Sequence, residues 1–306
     1  HIVYQAIQEN PWFTKYYIDT AIEGIRSWLS QDILEEFVAH YPALSGTGQK
    51  IGSIAAGNVP FVGFHDVMVA FLSGHEVILK PSRQDRVLMN WLLALWKKGF
   101  SLEKWPISIT DERKLTCDYL IATGSNNTAR YLASNYRNLN KLLRKNRFSV
   151  AWVKPDMSEE DWKGLAEDML LYNGLGCRNV SNLLIMPGIS LSEIAKKLDE
   201  YPLERVNTHY LERILFMKAK GEVKENFSVH SYFGIFEEST NLANMPMGQF
   251  NCVFVDDQTS LKGHLEANEM DLQCKIGIST PYGKAQQPLV DDYADGVDTM
   301  KILTLL

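Results

Sequence analysis

Hydrophobic positions in residues 1–45 recur at three-to-four spacing: Trp12, Tyr16, Tyr17, Ile25, Trp28, Leu29, Ile33 and Leu34, with acids and Lys15 between them. That is the period of an amphipathic helix, so the stretch is expected to be helical up to a turn at Leu44–Gly48. From Lys50 the rhythm changes. Lys50–Ala56 is a short apolar run closed by Gly57, and Val59–Leu72 has helical spacing and stops at Ser73-Gly74. Glu76–Leu79 is a β-rich run around Val77 and Ile78, and Gln84–Lys98 is a further helix ending at Gly99. Tyr119–Ala122 reads as a strand followed by Thr123-Gly124-Ser125, and Ser125 or Asn126 caps a helix to about Asn135. Phe148–Val153 is another strand.

The second half opens on Asp156–Glu160, where Ser158 with Asp161 three residues on makes a capping-box start. A helix over Glu159–Asn173 places Trp162, Leu165, Ala166, Met169 and Leu170 on its apolar face and stops at Gly174-Leu-Gly176, directly before Cys177. Asn182–Met186 is a strand ended by Pro187-Gly188. Leu191–Leu198 and His209–Ala219 read as helices, and Val229–Phe236 and Cys252–Val255 as strands. Strands alternating with helices predict an α/β fold with a mainly parallel sheet covered on both faces, and the first half has the rhythm of a dinucleotide-binding domain.

Composition narrows the classes. The chain has 306 residues, 45% hydrophobic and 22% charged, the profile of a folded protein with one large or two ordinary domains. A net charge of −6 and a pI near 5.7 argue against a nucleic-acid partner, which needs a basic face. The longest apolar stretches are Val87–Trp96, broken by Asn90, and Phe61–Leu72, which carries His65 and Asp66; both fall short of the roughly 20 apolar residues of a membrane span. No signal-peptide pattern opens the sequence, although a start at His1 leaves a preceding targeting segment open. Cys117, Cys177, Cys252 and Cys274 form no CxxC pair and have no histidine at zinc-ligand spacing, so no metal site is expected. The expectation is four reduced cysteines in a cytoplasmic protein.

The common nucleotide fingerprints are absent: no G-x-G-x-x-G follows a strand, and there is no G-x-x-x-x-G-K-[ST]. Cys177 stands apart because two glycines precede it, allowing a tight turn that presents a thiol, and adjacent Arg178 would favour the thiolate. A structural cysteine after a turn is the alternative. Asn58, between Gly57 and Pro60, suits either an oxyanion donor or a helix N-cap. Lys80 ends a strand before Pro81-Ser82, where it either meets a ligand at the carboxyl end of a sheet or is solvated. Lys141, Arg144, Lys145 and Arg147 suit coenzyme phosphates or a solvated helix end.

Taken together, Ala56-Gly-Asn-Val-Pro60, Leu72-Ser-Gly-His-Glu-Val-Ile-Leu-Lys-Pro-Ser82, Ile121-Ala-Thr-Gly-Ser-Asn-Asn127 and Gly174-Leu-Gly-Cys-Arg-Asn-Val-Ser181 come in the order found in acyl-CoA reductases. The chain resembles that family, relatives of the fatty-acid reductase of bacterial bioluminescence within the aldehyde dehydrogenase superfamily. Tyr293-Ala-Asp-Gly-Val-Asp-Thr-Met300 is similar as well, so the resemblance runs from about residue 50 to the end. It implies an aldehyde dehydrogenase-like α/β fold with a Rossmann-type cofactor domain and an α/β catalytic domain. The expected divisions are 1–153 for the N-terminal helices and cofactor domain, 154–290 for the thiol domain, and 291–306 for a tail that returns to the cofactor domain or makes an oligomer contact. The resemblance places the thiol nucleophile on Cys177 and the oxyanion-stabilising asparagine on Asn58, partnered by the Cys177 backbone N–H. It places the ribose-binding lysine on Lys80, and the pair beside the cofactor pyrophosphate on Gly124 and Ser125.

Two departures from the family pattern refine the expectation. Aldehyde-oxidising members carry a water-activating glutamate in a Glu-Leu-Gly-Gly motif; the matching stretch here, Arg147-Phe-Ser-Val150, has no carboxylate, which favours acyl transfer to a thiol over hydrolysis. Many NAD-preferring members place a glutamate three residues after the ribose lysine. That position is Arg83 here, beside Ser82, and an arginine suits a 2′-phosphate, so NADPH is expected in preference to NADH. The implied activity is reduction of an acyl thioester, acyl-CoA or acyl-protein, to the aldehyde. An acyl-activating synthetase is an expected partner, and a homo-oligomer the expected assembly. The rival readings are an acylating dehydrogenase of short-chain aldehydes, a reductase of phosphate esters of the glutamyl-phosphate type, and a subunit that only carries the acyl group on Cys177 to a partner.

Overall fold

The chain opens on three helices, α1 (Ile2–Glu9), α2 (Lys15–Trp28) and α3 (Gln31–Ala39), rather than one continuous run. Pro11 has no amide hydrogen to continue a helical ladder. Asn10 Oδ1 accepts from the Trp12 N–H at 3.1 Å to close a turn, and Thr14 caps α2 by accepting from the Tyr17 N–H at 3.1 Å. The computed structural model describes residues 1–42, 48–99, 105–220 and 228–306. The turn expected at Leu44–Gly48 therefore lies, apart from Gly48, outside the described residues.

Two units divide the chain: His1–Asn146 with Leu289–Leu306, and Arg147–Pro288. In the first, β1 (Lys50–Ile54), α4 (Phe64–Leu72), β2 (Glu76–Lys80), α5 (Arg86–Lys98), β3 (Ile107–Ile109), β4 (Tyr119–Thr123), α6 (Asn126–Asn135) and β5 (Asn140–Arg144) follow in order. The sheet order is β3-β2-β1-β4-β5 and every pairing is parallel. The chain thus walks outward from β1 to β3 and then returns to start β4 on the other side of β1. Ile51, Val77, Leu79 and Ile121 of the sheet join Val67, Met68 and Val69 of α4 in one core.

Local chemistry moved several boundaries. α4 begins five residues later than the spacing suggested, because Pro60 keeps Val59 out of helical geometry and Phe61 has φ +58°. Residues Arg83–Asp85 form a separate 3₁₀ turn before α5. β3 and β5 were not foreseen. β3 has three residues, and β5 is a polar edge strand carrying Lys141 and Arg144, residues expected at a helix end or on phosphate. Arg144 is instead buried: its guanidinium meets Asp66 Oδ1 at 2.8 Å, Thr299 Oγ1 at 2.8 Å and the Ala294 carbonyl at 2.6 Å. Lys141 Nζ donates to the Tyr136 and Leu139 carbonyls, and Arg147 Nη1 to the Leu272 carbonyl.

The second unit contains β6 (Phe148–Val153), α7 (Glu159–Leu170), β7 (Val180–Ile185), α8 (Leu191–Leu198), α9 (Thr208–Ala219), β8 (Ser228–Ser231), β9 (Gly234–Glu238), β10 (Gln249–Phe254), α10 (Gln258–Ala267) and β11 (Leu272–Ile276). The sheet order is β11-β6-β7-β10-β9-β8, parallel throughout except for the β8–β9 hairpin. Tyr232 and Phe233 turn that hairpin and split the single strand expected over Val229–Phe236. β6 hydrogen-bonds to β7 and β11, so it belongs to the second sheet and the first unit closes at Asn146, not at 153. The tail, ending in α11 (Thr299–Thr304), packs with the first unit. His75 accepts the Gln49 N–H on Nδ1 and so donates from Nε2 to the Leu303 carbonyl, at 2.9 Å.

Candidate active site

In an open parallel sheet the crevice at the carboxyl ends of the strands, where the strand order reverses, is where ligands bind. Here that point lies between β1 and β4. Ala55–Phe61 leaves the end of β1, and Thr123-Gly124-Ser125 leaves the end of β4. The turn after β2, Lys80–Asp85, touches the first of these loops. A Cβ on Gly57 would lie 2.4 Å from Ser82 Oγ, so only glycine allows the approach. Asn58 is half-buried, and α4 starts at Phe64 with Gly63 at its N-cap, which removes the helix-capping explanation for Asn58.

Lys80 is half-buried, with Nζ donating to the Arg113 carbonyl at 3.3 Å. Ser82 Oγ accepts from the Gln84 N–H at 3.3 Å, and Arg83 is exposed within the 3₁₀ turn that follows. On the β4 side, a Cβ on Gly124 would meet Thr128 Cγ2 at 2.8 Å, and Ser125 caps the ten-residue α6 by accepting from the Thr128 N–H at 3.2 Å. A glycine turn opening on a helix N-terminus offers backbone N–H groups and positive dipole to a pyrophosphate. Lys80 stands on the same edge of the sheet, at the end of β2.

The thiol belongs to the second unit. α7 ends at Leu170, and Tyr172 (φ 56°), Asn173 (φ 60°) and Gly174 (φ 66°) then turn left-handed in succession. Such a conformation costs a non-glycine residue about 1–3 kcal/mol and persists only where the surroundings enforce it. Asn179 supplies much of that enforcement. It is buried, Nδ2 donates to the Asp168 and Leu171 carbonyls at 3.0 and 2.8 Å, and Oδ1 accepts from the Gly176 N–H at 2.8 Å. Ser149 of β6 holds the next residue: its hydroxyl donates to the Cys177 carbonyl at 2.9 Å and accepts from the Cys274 N–H at 3.0 Å.

The four cysteines are free and differ in setting. Cys252 and Cys274 are buried, and burial drives the Cys252 thiol far above its ordinary range. Cys117 is half-buried against Gly52, and burial raises its thiol too. Cys177 is half-buried and lies on the strained loop. Arg178, expected to favour the Cys177 thiolate, directs Nη1 at Cys274 Sγ and the Ala285 carbonyl, each at 3.3 Å.

Asp168 completes the setting of this loop. It is fully buried on α7 and accepts from the Gly283 and Ala285 N–H groups at 2.7 and 3.0 Å. Burial pushes its carboxyl up to about 7, against the pull of those two donors. An acid at 168 on the apolar face shared with Leu165 and Met169 was a visible signal that the sequence reading passed over, as were Asn179 three residues past Gly176 and Ser149 within an apolar strand.

The backbone is that of an aldehyde dehydrogenase. It superimposes on the NAD-dependent benzaldehyde dehydrogenase of Corynebacterium glutamicum with a TM-score of 0.63 over 90% of this chain and 71% of that one, at 14% identity. Aldehyde dehydrogenase C of Pseudomonas syringae, solved with NAD+ and octanal, gives 0.60 over 85% and 68%, at 12% identity. Such identities speak for fold alone. The acyl-CoA reductase (LuxC) family matches residues 17–231, well over half of the sequence, and the chain belongs to that family. The long-chain acyl-protein thioester reductase of Photorhabdus laumondii subsp. laumondii is 23% identical over 256 residues, 74% of this chain and 51% of that protein. The chain thus spans about half the length of this curated relative. Among the described residues no helix is long and apolar enough to cross a membrane.

Proposed function

We propose that this chain reduces an acyl thioester to an aldehyde with a nicotinamide coenzyme, through an acyl-enzyme on Cys177. The observation that carries the reading is the Cys177 loop, a half-buried thiol after three left-handed residues, held by Asn179 and Ser149, in a chain of the acyl-CoA reductase family. The name of the Photorhabdus relative supports a thioester substrate. An acyl-protein or acyl-CoA delivered by an acyl-activating synthetase is the donor this implies.

Cys177 Sγ attacks the thioester carbonyl, the carbon–sulfur bond to the carrier breaks, and the carrier thiol leaves with a proton. The Asn58 amide and the Cys177 N–H donate to the oxyanion that forms in between. A nicotinamide coenzyme, when bound, would supply the hydride that the acyl carbon needs. With that hydride and a proton from solvent the Cys177 thioester becomes a hemithioacetal, whose carbon–sulfur bond breaks to return the Cys177 thiol and release aldehyde. Lys80 would hold the adenosine ribose of that coenzyme, and Gly124 and Ser125 its pyrophosphate. The matching stretch Arg147–Val150 lacks a carboxylate, and Glu167 is engaged by the Tyr201 hydroxyl at 2.8 Å and by Arg205 at 3.3 Å, which supports reduction over hydrolysis.

Arg83 and Ser82 favour NADPH, since an arginine matches a 2′-phosphate that a glutamate would repel. Assays across acyl-CoA chain lengths with each coenzyme test the reading through aldehyde, carrier thiol and coenzyme consumed. They should rise one for one, with NADPH about tenfold more efficient than NADH, and Arg83→Glu should erase the preference. Thiol release without coenzyme consumption would make the chain an acyl carrier only.

A further inference from the structure

Asp85 occupies the N-cap position of α5, where an aspartate ordinarily accepts from the first N–H groups of its own helix. Its carboxylate makes no such bond. It reaches back 24 residues, and Oδ2 accepts from the Phe61 N–H at 2.9 Å. Asp85 is 1% exposed, and its second oxygen, Oδ1, has no partner. Phe61 is itself buried and left-handed, three residues after Asn58. A buried acid that forgoes its own helix to hold a strained residue elsewhere is serving the other loop.

Two further contacts converge on that loop. Gly57 lies against Ser82, and Asn10 Nδ2 donates to the Gly57 carbonyl at 3.4 Å. The Asn58 loop is therefore registered on both sides of Asn58, at Gly57 and at Phe61, and both points lead to the Ser82–Asp85 turn that carries Arg83. Burial holds the Asp85 carboxyl well above the usual range. Asparagine is a near-isostere that keeps a side-chain oxygen for the Phe61 N–H to donate to.

We infer that Asp85 is a positioning residue that fixes Asn58 to the coenzyme-binding turn through the Phe61 N–H, so that the oxyanion donor and the coenzyme share one rigid mount. The inference rests on the oxyanion role of Asn58 proposed above. Single-turnover aldehyde formation is to be measured for Asn58→Ala, Asp85→Ala, Asp85→Asn and the Asn58→Ala/Asp85→Ala double variant, alongside coenzyme affinity by fluorescence and amide exchange at Phe61. Asp85→Ala should slow the turnover at least tenfold while the double variant is no slower than Asn58→Ala alone, because both remove the same donor. Asp85→Asn, which keeps an acceptor, should stay within threefold of the parent. Coenzyme affinity should change less than threefold in all four. Phe61 exchange should quicken at least tenfold in Asp85→Ala and stay slow in Asp85→Asn.

Multiplied losses in the double variant, equal losses in Asp85→Asn and Asp85→Ala, or unchanged Phe61 exchange would overturn the inference. Normal turnover in Asn58→Ala with quickened Phe61 exchange in Asp85→Ala would instead overturn the oxyanion reading and with it the catalytic half of this one, leaving only the mount. If Asp85→Ala does not fold, Asp85→Ser offers α5 a capping hydroxyl while withdrawing the acceptor from Phe61, and is held to the same outcomes.

Discussion

Asn58 stands outside α4, whose N-cap is Gly63, so helix capping does not account for it. Removing one oxyanion donor costs about 10²–10³ in turnover, so Asn58→Ala should slow aldehyde formation by that order with little change in coenzyme affinity. Early melting at normal turnover would return Asn58 to a structural role. Asp168 makes a different prediction. Its carboxyl is raised from 3.8 to about 7 in the fold, so the folded chain holds that proton more tightly than the unfolded one. The stability this adds is complete below about pH 4 and is lost as pH rises through about 7. Denaturant midpoints should therefore carry a component falling across that window, and Asp168→Asn should flatten it; an unchanged slope would show that the group titrates normally. The assignments to Cys177, Asn58, Lys80, Arg83, Gly124 and Ser125 come from short linear patterns beside turns, which a sequence displays. Asp85, Ser149 and Asp168 give no such signal, because their partners lie 24, 125 and 117 residues away.

Among helices and strands, apolar period carried furthest where a run was long or capped: α7 has the full Ser158–Asp161 capping box expected of it, and α8 and α9 fall where their spacing placed them. It failed where polar residues fill an edge strand, as in β5, or where a kink is enforced from outside, as at Tyr172-Asn173. β5 also explains why Arg144 was misread. A basic residue beside other basic residues reads as solvated, yet here it closes a buried network that holds the tail 3₁₀ turn and α11 against α4. Taking one partner from a buried ion pair costs about 3–5 kcal/mol, since the other charge stays buried alone. Arg144→Met should lose that much in chemical denaturation, and Arg144→Met/Asp66→Leu should recover most of it. A loss under about 1 kcal/mol would mean that Asp66 finds another partner or water.

The chain as a whole combines a five-stranded parallel sheet, whose strand order reverses between β1 and β4, with a six-stranded second sheet and a strained loop that carries Cys177. The alternation of strands and helices announced parallel sheet, and the division into two units was expected only from the family resemblance; the sheet to which β6 belongs is declared by its hydrogen bonds to β7 and β11. Covalent chemistry at Cys177 can be tested by trapping the acyl-enzyme. The chain is incubated with a tagged acyl-CoA without coenzyme, quenched in acid, digested and mapped by mass, with a parallel sample chased with NADPH before quenching. One acyl group per chain is expected, on Cys177, absent from a folded Cys177→Ala variant and released as aldehyde in the chase. Labelling of Cys117, Cys252 or Cys274 in its place, or release of the label as free acid, would contradict it.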